Sequence, residues 1–541
     1  MPKINLIKKE ALIAASFLIL IPLISHFLFS WMGFTPTDEG FTLALSRRLL
    51  DGQVPHRDFI IIRPFLSPLI HTPVVLFGGA YTFWFSRLFV WFQLACISWF
   101  WVLTICRMMR STFSPAQTFA AAIISFAATA HTRHLTAWHT IDGLFFIAIG
   151  LALCTNRRQI HKVFGYFLLG LAPLCKQNFI FILPLSLLIL DDWRQVKYWI
   201  AAVLPGLCYV GYLVAAHALF DALMQLTVRT ELLQTGLWQY LNKTVIIGFV
   251  VGYASMWLIF GPTVGSNKTK TRIAVLMLYC VPLLGVAGSL WFGVLPATSF
   301  GLFGILAGVV IYLLTNKTAP QTWVRISLLV MATAWSASIS VGYNTPALMS
   351  GPMLVMLTSY IFSLKKQNRA FRYSLIAGSV LISLTFGIAR TRYIYRDQPA
   401  TQLTRSLDGV LPGGKHLYTN PNTFEFMRDL KDAVEFVEAQ HRHYAILPDV
   451  AAYWAKAPQE DPLPAVWPQA DELGKPALID RFIGVMESRR ADTIFIVQKV
   501  EATDLAHGFV PLPSNDYYHV VRYARSHFVK IHETNYFELY R

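Results

Sequence analysis

The stretch "ALIAASFLILIPLISHFLFSW", residues 11–31, has no Asp, Glu, Lys or Arg in 21 positions. A helix of about 20 such residues spans the hydrocarbon layer of a membrane. Similar blocks follow, among them "LFVWFQLACISWFWVLTIC" (88–106) and "YSLIAGSVLISLTFGIA" (373–389). The 541-residue chain is 55% hydrophobic and only 14% charged, whereas soluble domains carry about a quarter charged residues. We therefore predict a polytopic α-helical membrane protein.

Basic residues between the apolar blocks predict the topology. Together with Lys3, Lys8 and Lys9, six loops hold 19 of the 46 Lys and Arg: 106–111, 155–162, 191–197, 265–272, 315–325 and 363–372. The positive-inside rule places these alternate loops, and the N-terminus, in the cytoplasm. We count about 13 transmembrane helices and expect the loops 32–67, 131–142 and 220–243 to face outward.

The composition changes near residue 390. Short apolar runs of strand length, such as "HYAILPD" and "DTIFIVQKV", alternate with helical patterns such as "TFEFMRDLKDAVEFVEAQ" and "PALIDRFIGVMESRR". This part carries 18 basic and 20 acidic residues, a net charge of −2, so the membrane part carries +18 and the whole chain +16. The basic balance therefore follows from the topology and does not indicate nucleic acid. We predict a transmembrane module over 1–389 and an extracytoplasmic α/β domain over 390–541.

The first outward loop contains "TPTDEGFTLALSRRLLDGQVPHRDF", residues 35–59. Thr37 and Asp38 are good N-cap residues, and Gly52 is a plausible stop. The apolar residues between them predict an amphipathic helix that lies in the membrane interface. One interpretation makes Asp38 the cap and Glu39 a first-turn acid that suits the helix dipole. The other makes the acids functional, because charged groups near membrane depth are costly.

A second unusual feature is a pair of short apolar segments, "VFGYFLLGLAPLC" and "FIFILPLSLLIL", separated by "KQN" at 176–178. Segments too short to span comfortably, with a charged tip between them, predict a broken hairpin that lines a cavity.

These segments together carry a family resemblance. "TDEG", the helix after it and "LLDGQVPHRDF" resemble the first outer loop of the GT-C glycosyltransferases. "RHLTAWHTIDGLFF" (133–146) is similar to their second outer loop, and "GYFLLGLAPLCKQNFIFILPLSLLIL" (165–190) resembles their Lys-bearing hairpin. The nearest members are bacterial relatives of protein O-mannosyltransferases and of the aminoarabinose transferase that modifies lipid A. One departure is His56, where the family's turn usually has Tyr.

The resemblance implies transfer of a sugar from a polyprenyl-phosphate carrier to a lipid, glycan or protein acceptor, at the outer face of a bacterial cytoplasmic membrane. A single inverting displacement needs one carboxylate base and cations for the departing phosphate. Asp38 matches the family's first acid and is the candidate base, with Glu39 as a second acceptor contact or metal ligand. No metal site or cofactor is certain, although a divalent cation is compatible with the two acids. For the phosphate, the candidates are Lys176, Arg47, Arg48 and Arg63.

Other polar residues are candidates for substrate contact or for structure. Asp58 and Gln177 belong to the matched segments, and Asp142 either caps the fourth span or takes part in catalysis. His131, His134 and His139 are predicted to be polar loop residues near the active cavity, and their spacing is a weak match to a metal site. Asn344, in "SVGYNTP", contacts the sugar or acceptor or belongs to an ordinary turn. The segment "ILPDVAAYW" (446–454) fits a cavity-facing turn as well as simple packing.

Two other classes of function stay open. A transporter or lipid flippase would also have many spans and buried charges, and it would show paired broken helices in two related halves. A non-catalytic partner in cell-envelope assembly would not need an acid pair facing a basic tip.

Overall fold

The computed structural model describes residues 2–110, 113–131, 135–229, 231–260, 273–316, 320–340, 343–364 and 369–541. The first 17 helices are α1 Pro2–Phe29, α2 Asp38–Leu50, α3 Leu66–Gly78, α4 Thr82–Met109, α5 Pro115–Thr129, α6 His139–Cys154, α7 Gln159–Cys175, α8 Ile182–Ile189, α9 Val196–Ala215, α10 Leu219–Leu226, α11 Glu231–Trp238, α12 Lys243–Phe260, α13 Val281–Phe292, α14 Leu295–Asn316, α15 Gln321–Ser338, α16 Ser350–Leu364 and α17 Arg369–Arg392.

The remaining elements belong to the C-terminal domain. Its helices are α18 Pro421–Glu438, α19 Ala451–Trp454, α20 Pro476–Arg489 and α21 His519–His527. Its strands are β1 Arg405–Ser406, β2 Tyr418–Thr419, β3 His443–Leu447, β4 Thr493–Gln498, β5 Lys530–Glu533 and β6 Phe537–Tyr540.

Within the described ranges, seven apolar stretches are long enough to cross a membrane by length and composition. They are Ala11–Phe29, Leu66–Met109, Val196–Ala215, Lys243–Phe260, Ile273–Phe292, Leu295–Asn316 and Tyr373–Arg392. The 44-residue stretch contains both α3 and α4. Four shorter apolar helices accompany them, at Pro115–Thr129, His139–Cys154, Gln177–Ile189 and Ala347–Phe362. These stretches support the prediction of a membrane protein, whereas the count of about 13 transmembrane helices stays a prediction.

The chain breaks between α7 and α8, where the sequence predicts a broken hairpin. Lys176 is extended, with φ −151° and ψ 116°, and a 3₁₀ turn at Gln177–Phe181 leads into α8. Pro173 lies inside the last turn of α7 and removes one backbone donor there. At this break Lys176 and Phe179 are buried in protein, whereas Ile180 and Phe181 are exposed.

The C-terminal domain is a three-layer α/β structure. Its four-stranded sheet has the order β3-β4-β6-β5, with β3 and β4 parallel and the other pairs antiparallel. Alternate residues of β3 and β4 point to opposite faces. Tyr444 and Ile446 belong to the same core as α18, whereas Ala445 and Leu447 belong to the core with α20 and α21.

Helix α2 is part of the first of these two cores. Leu43, Ala44 and Leu45 belong to the same hydrophobic cluster as Phe426 of α18 and Ile446 of β3. We expected a helix lying in the membrane interface with one apolar face. The apolar face is not the only buried one: the C-terminal domain packs on the helix, and Glu39, Thr42, Ser46 and Arg48 are buried as well. The place of the helix in the membrane interface stays a prediction.

Contact between α2 and α19 fixes the docking of the domain. The Ala452 N–H donates to the Pro36 carbonyl at 2.9 Å. A Cβ atom at Gly40 would lie 1.9 Å from Cα and 2.1 Å from N of Ala452. Only glycine permits this backbone approach, one residue beyond Glu39 and two beyond Asp38.

Replacement Gly40→Ala is therefore expected to displace α19 and to lower the free energy of unfolding by at least about 2 kcal/mol, as overpacking does. The measurement is an SDS titration in mixed micelles combined with limited proteolysis of the C-terminal domain. Gly206→Ala in α9 is the matched control, because its Cβ would meet nothing within 4 Å. Equal stability of the two variants would contradict this docking.

Candidate functional site

A cavity of about 410 Å³ lies between the helices of the membrane part and the C-terminal domain. Its size is within the range of small-molecule sites. The walls carry aromatic rings, two arginines and four carboxylates. The aromatic residues are Phe41, Trp138, Tyr343, Tyr395, Trp467, Tyr517 and Tyr518, and the charged residues are Arg63, Arg396, Asp38, Asp471, Glu472 and Glu501.

Asp38 is the first residue of α2 and lies in the cavity wall. Its Oδ2 accepts a hydrogen bond from the Tyr395 hydroxyl at 2.9 Å and lies 2.8 Å from Arg396 Nη1. In the described part of the chain, Oδ1 has no hydrogen-bond partner. One carboxylate oxygen is therefore held in place while the other is free to accept a proton.

Glu39 points away from the cavity into protein. It forms a bidentate pair with Arg87 of α4, with Nε and Nη2 at 2.6 and 2.7 Å from its two oxygens, and both side chains are buried. Burial raises the pKa of Glu39, and the Arg87 charge opposes this rise. The two adjacent acids thus have different surroundings, and Glu39 is occupied by a structural partner.

Arg87 also orders the loop that leads into α2. Its guanidinium donates to the carbonyls of Ser30 at 2.7 Å and Met32 at 3.0 Å. From the other side, Asp397 accepts from the Phe34 N–H at 2.9 Å. These contacts position the start of α2, and with it Asp38.

Arg63 enters the cavity wall from the loop after α2. Its Nη1 lies 2.8 Å from Glu472 of the C-terminal domain, and its guanidinium stacks 5.5 Å from the centroid of the Phe41 ring. The side chain is 17% exposed, so it can reach a ligand in the cavity.

Lys176 is buried at the break between α7 and α8. Its Nζ donates to the Thr140 hydroxyl at 3.1 Å and to the Ala337 carbonyl at 3.0 Å. It has no carboxylate partner among the described residues. The next residue, Gln177, donates to the carbonyl of Ile62, adjacent to Arg63. A buried cation with only neutral partners is costly and favours an anionic ligand nearby.

Arg47 and Arg48 do not line this cavity. Arg47 pairs with Asp51 at 2.8 Å and donates to the Ala457 carbonyl, whereas Arg48 is buried and pairs with Asp461. Both side chains hold the segment after α19 against α2. The predicted phosphate role is not favoured for either residue, because both lie outside the cavity lining whereas Arg63 is part of it.

Asp58 lies at the surface, 2.8 Å from Arg57, and is outside the 410 Å³ cavity. Asp142 is fully buried between α3, α4 and α6. It accepts hydrogen bonds from Gln93 at 2.7 Å and from Ser67, and lies 3.1 Å from His71 Nε2. These contacts favour the structural interpretation of Asp142.

Of the histidines, His139 lines the cavity, and His131 forms a hydrogen bond to the Tyr343 hydroxyl at 2.8 Å. His134 lies outside the described residues. Asn344 is exposed, and its neighbour Tyr343 is the residue that lines the cavity. Across the described segments, no three His, Cys, Asp or Glu are grouped to hold a metal ion.

Several residues of the site were not predicted from the sequence. Tyr395 and Arg396 follow α17, more than 350 positions after Asp38, and Trp467, Tyr517 and Tyr518 come from loops of the C-terminal domain. The spacing of these residues along the chain forms no recognisable motif, because they come together only when the chain folds. The segment "ILPDVAAYW", which fits a cavity-facing turn by sequence, contains α19 and contributes no residue to the cavity lining.

Comparisons with known proteins add no relative: no family model, no curated protein and no solved structure matches this chain.

Proposed function

We propose that the protein is a membrane glycosyltransferase of the GT-C type, with about 13 spans and the C-terminal domain outside the cytoplasmic membrane. It would transfer a sugar from a polyprenyl-phosphate carrier to an acceptor hydroxyl. The observation that carries this proposal is the Asp38 carboxylate, which lies in the cavity wall and is held through Oδ2 by Tyr395 and Arg396.

The chemistry needs a single displacement. The acceptor oxygen attacks C1 of the sugar, its proton passes to Asp38 Oδ1, and the C1–O bond to the phosphate breaks. The electron pair leaves with the phosphate. A base of this kind contributes about 10²- to 10⁴-fold to the rate. Arg396 and Tyr395 hold the carboxylate in its orientation for the transfer.

The departing phosphate would be stabilised by Lys176 and Arg63. Arg63 lines the cavity, whereas Lys176 is buried outside its lining, next to Gln177, whose amide donates to the carbonyl of Ile62 adjacent to Arg63. Lys176 supplies a charge without a carboxylate partner in the described residues, and Arg63 supplies a planar guanidinium. A shift of Arg63 from Glu472 to the phosphate would complete the site. The proposed step does not use a divalent cation, and binding of such an ion at Asp38 would be compatible with it.

Lys176→Met is expected to weaken donor binding by at least about 30-fold, since losing one member of a desolvated charge pair costs about 2 kcal/mol or more. The measurement is binding of radiolabelled polyprenyl-phosphate sugars to protein in nanodiscs. Lys162→Met is the matched control, because Lys162 lies at the other end of α7 and pairs with Asp192 at 2.8 Å. Equal loss in both variants would argue against a phosphate site.

The same panel of donors tests the proposal as a whole. Wild-type protein is expected to consume one donor and release polyprenyl phosphate when an acceptor is present. A flippase would instead move the donor across the bilayer with the C1–O bond intact, and an assembly partner would neither bind nor consume it. Either of these results would replace the glycosyltransferase proposal.

A further inference from the structure

The guanidinium of Arg63 occupies a cation site in the cavity wall. This cation site consists of the Glu472 carboxylate, whose Oε1 lies 2.8 Å from Arg63 Nη1, and the Phe41 ring, whose centroid lies 5.5 Å from Arg63 Cζ. A carboxylate and an aromatic face each attract positive charge. All three residues line the 410 Å³ cavity, so the cation site opens to a ligand.

Glu472 depends on this arginine for its neutralisation. The Glu472 side chain is 4% exposed, and Arg63 is its one ion-pair partner among the described residues. Arg63 is 17% exposed and is the residue proposed to shift to the departing phosphate. A buried carboxylate without its partner is strongly unfavourable. When Arg63 shifts, a second cation is therefore needed beside Glu472.

The other charged residues of the cavity wall do not supply this cation. Arg396 lies 2.8 Å from Asp38 Oδ2, and Asp471 pairs with Arg229. Glu501 lines the cavity as well, and across the described segments its carboxylate has no ion pair or hydrogen bond. The lining thus has more carboxylates than arginines, and this excess favours a ligand that carries positive charge.

An alkylammonium group fits the cation site in size and in chemistry. It is a compact charge with three N–H donors, which the Glu472 carboxylate can accept. The Phe41 and Trp467 rings, with centroids 5.5 Å apart, add two aromatic surfaces at the same place in the lining. A phosphate or carboxylate group there would instead be repelled by Glu472.

We propose that the acceptor carries a protonated amine, and that this ammonium replaces Arg63 beside Glu472 when Arg63 shifts to the donor phosphate. The inference rests on the proposed function and names the chemical class of its acceptor. The amine is not the nucleophile: a separate hydroxyl of the acceptor attacks C1 of the sugar and gives its proton to Asp38. Donor and acceptor then bind cooperatively, and each strengthens the other by the same factor.

The cooperativity can be measured without transfer, because polyprenyl phosphate supplies the anion and has no sugar to give. The acceptor probes are three radiolabelled hexyl glycosides that differ in one substituent, which is hydroxymethyl, aminomethyl or carboxylate. Their binding to protein in nanodiscs is measured at about pH 7. Polyprenyl phosphate is expected to strengthen binding of the aminomethyl glycoside by at least about 10-fold, as one charged hydrogen bond does. Binding of the other two should not strengthen by more than about 3-fold.

Variants of the ion pair test the cation site itself. Arg63→Ala is expected to bind the aminomethyl glycoside at least about 10-fold more tightly than wild type without polyprenyl phosphate, because Glu472 then has no internal partner. This is a gain of binding that a misfolded variant would not show. Glu472→Gln should lose the cooperativity. Glu538→Gln is the matched control and should keep it, since Glu538 pairs with Arg525 at 2.9 Å and is outside the cavity lining.

An amine on the donor sugar is the other source of an ammonium group. Polyprenyl-phosphate donors with a neutral sugar and with an amino sugar are therefore compared for binding to wild type and to Glu472→Gln. We expect the two donors to bind wild type within about 3-fold of each other. A preference of about 10-fold for the amino sugar that Glu472→Gln removes would assign the cation site to the donor and overturn the inference about the acceptor.

The outcomes separate the inference from the function on which it rests. If the aminomethyl glycoside binds no better than the hydroxymethyl glycoside to Arg63→Ala, or to wild type with polyprenyl phosphate, the acceptor does not use the cation site. Turnover of a donor by wild type would then still support the transferase. If no donor is consumed although Arg63→Ala gains binding of the aminomethyl glycoside, the proposed function is wrong and the inference about its acceptor falls with it.

Discussion

Asp38→Asn is expected to lower kcat by at least about 100-fold, the lower end of the range for loss of a general base. Donor affinity should stay within about 3-fold of wild type, because an interaction made mainly in the transition state affects kcat rather than binding. Asn keeps the size of Asp and can still accept from Tyr395. It cannot take the proton of the acceptor hydroxyl. The variant should therefore bind the donor normally and fail in the transfer step.

Asp58→Asn is the matched control for this prediction. Asp58 belongs to the same loop, is paired with Arg57 at the surface and is outside the cavity. It should keep kcat within about 3-fold, since surface pairs contribute little. The measurement is release of radiolabelled polyprenyl phosphate at saturating donor. An Asp38→Asn enzyme as fast as the control would make Asp38 a helix cap and nothing more.

Arg87→Ala is expected to lower the free energy of unfolding by about 3–5 kcal/mol, because it leaves a buried carboxyl without its partner. The variant also removes the donors that hold the carbonyls of Ser30 and Met32, so the start of α2 should loosen. Proton uptake by Glu39 limits the loss, since burial already raises the pKa of this group. An SDS titration in mixed micelles gives the free energy.

Arg47→Ala provides the comparison for the buried pair. The Arg47–Asp51 pair is an i,i+4 contact with the two side chains 25% and 13% exposed, so its loss should cost at most about 1 kcal/mol. If Arg87→Ala costs no more than Arg47→Ala, the Glu39–Arg87 pair does not order the loop that presents Asp38.

The elements of the C-terminal domain were largely predictable. The runs "HYAILPD" and "DTIFIVQKV" contain β3 and β4, and the two helical patterns cover all but the first two residues of α18 and all of α20. Such elements can be recognised from a short stretch of sequence, by the spacing of the apolar residues and the length of the run. Apolar residues alternate along a strand that has one buried face, and they recur every three or four residues along a helix that has one apolar stripe. Strand β5 was missed because "KIHE" has three polar residues in four and is mostly exposed.

The candidate site was predictable only in part. Asp38 lies in the cavity wall, as do Arg63 and His139, all of which the sequence singles out. Its partners Tyr395 and Arg396 come from a distant part of the chain, and no periodicity links them to Asp38. Residues that meet only through long-range contacts leave no local pattern in the sequence. Tyr395 and Arg396 could therefore be assigned to the site only from the folded structure.

Helix α2 shows why the burial of a residue cannot always be predicted from the sequence. Its polar residues suggest exposure, yet Glu39 and Arg48 are buried because each finds a partner far away, in Arg87 and Asp461. Buried charges are tolerated when they are paired. The Arg48–Asp461 pair depends on how the C-terminal domain docks, and this docking depends in turn on the backbone approach at Gly40.

Product stereochemistry is the most direct test of transfer by a single displacement. Wild-type protein would be incubated with a polyprenyl-phosphate sugar of known anomeric configuration and with acceptor, and the anomeric proton of the product would be read by NMR. A single displacement predicts a product of opposite configuration to the donor. A product of retained configuration, or no product from any donor of the panel, would contradict it.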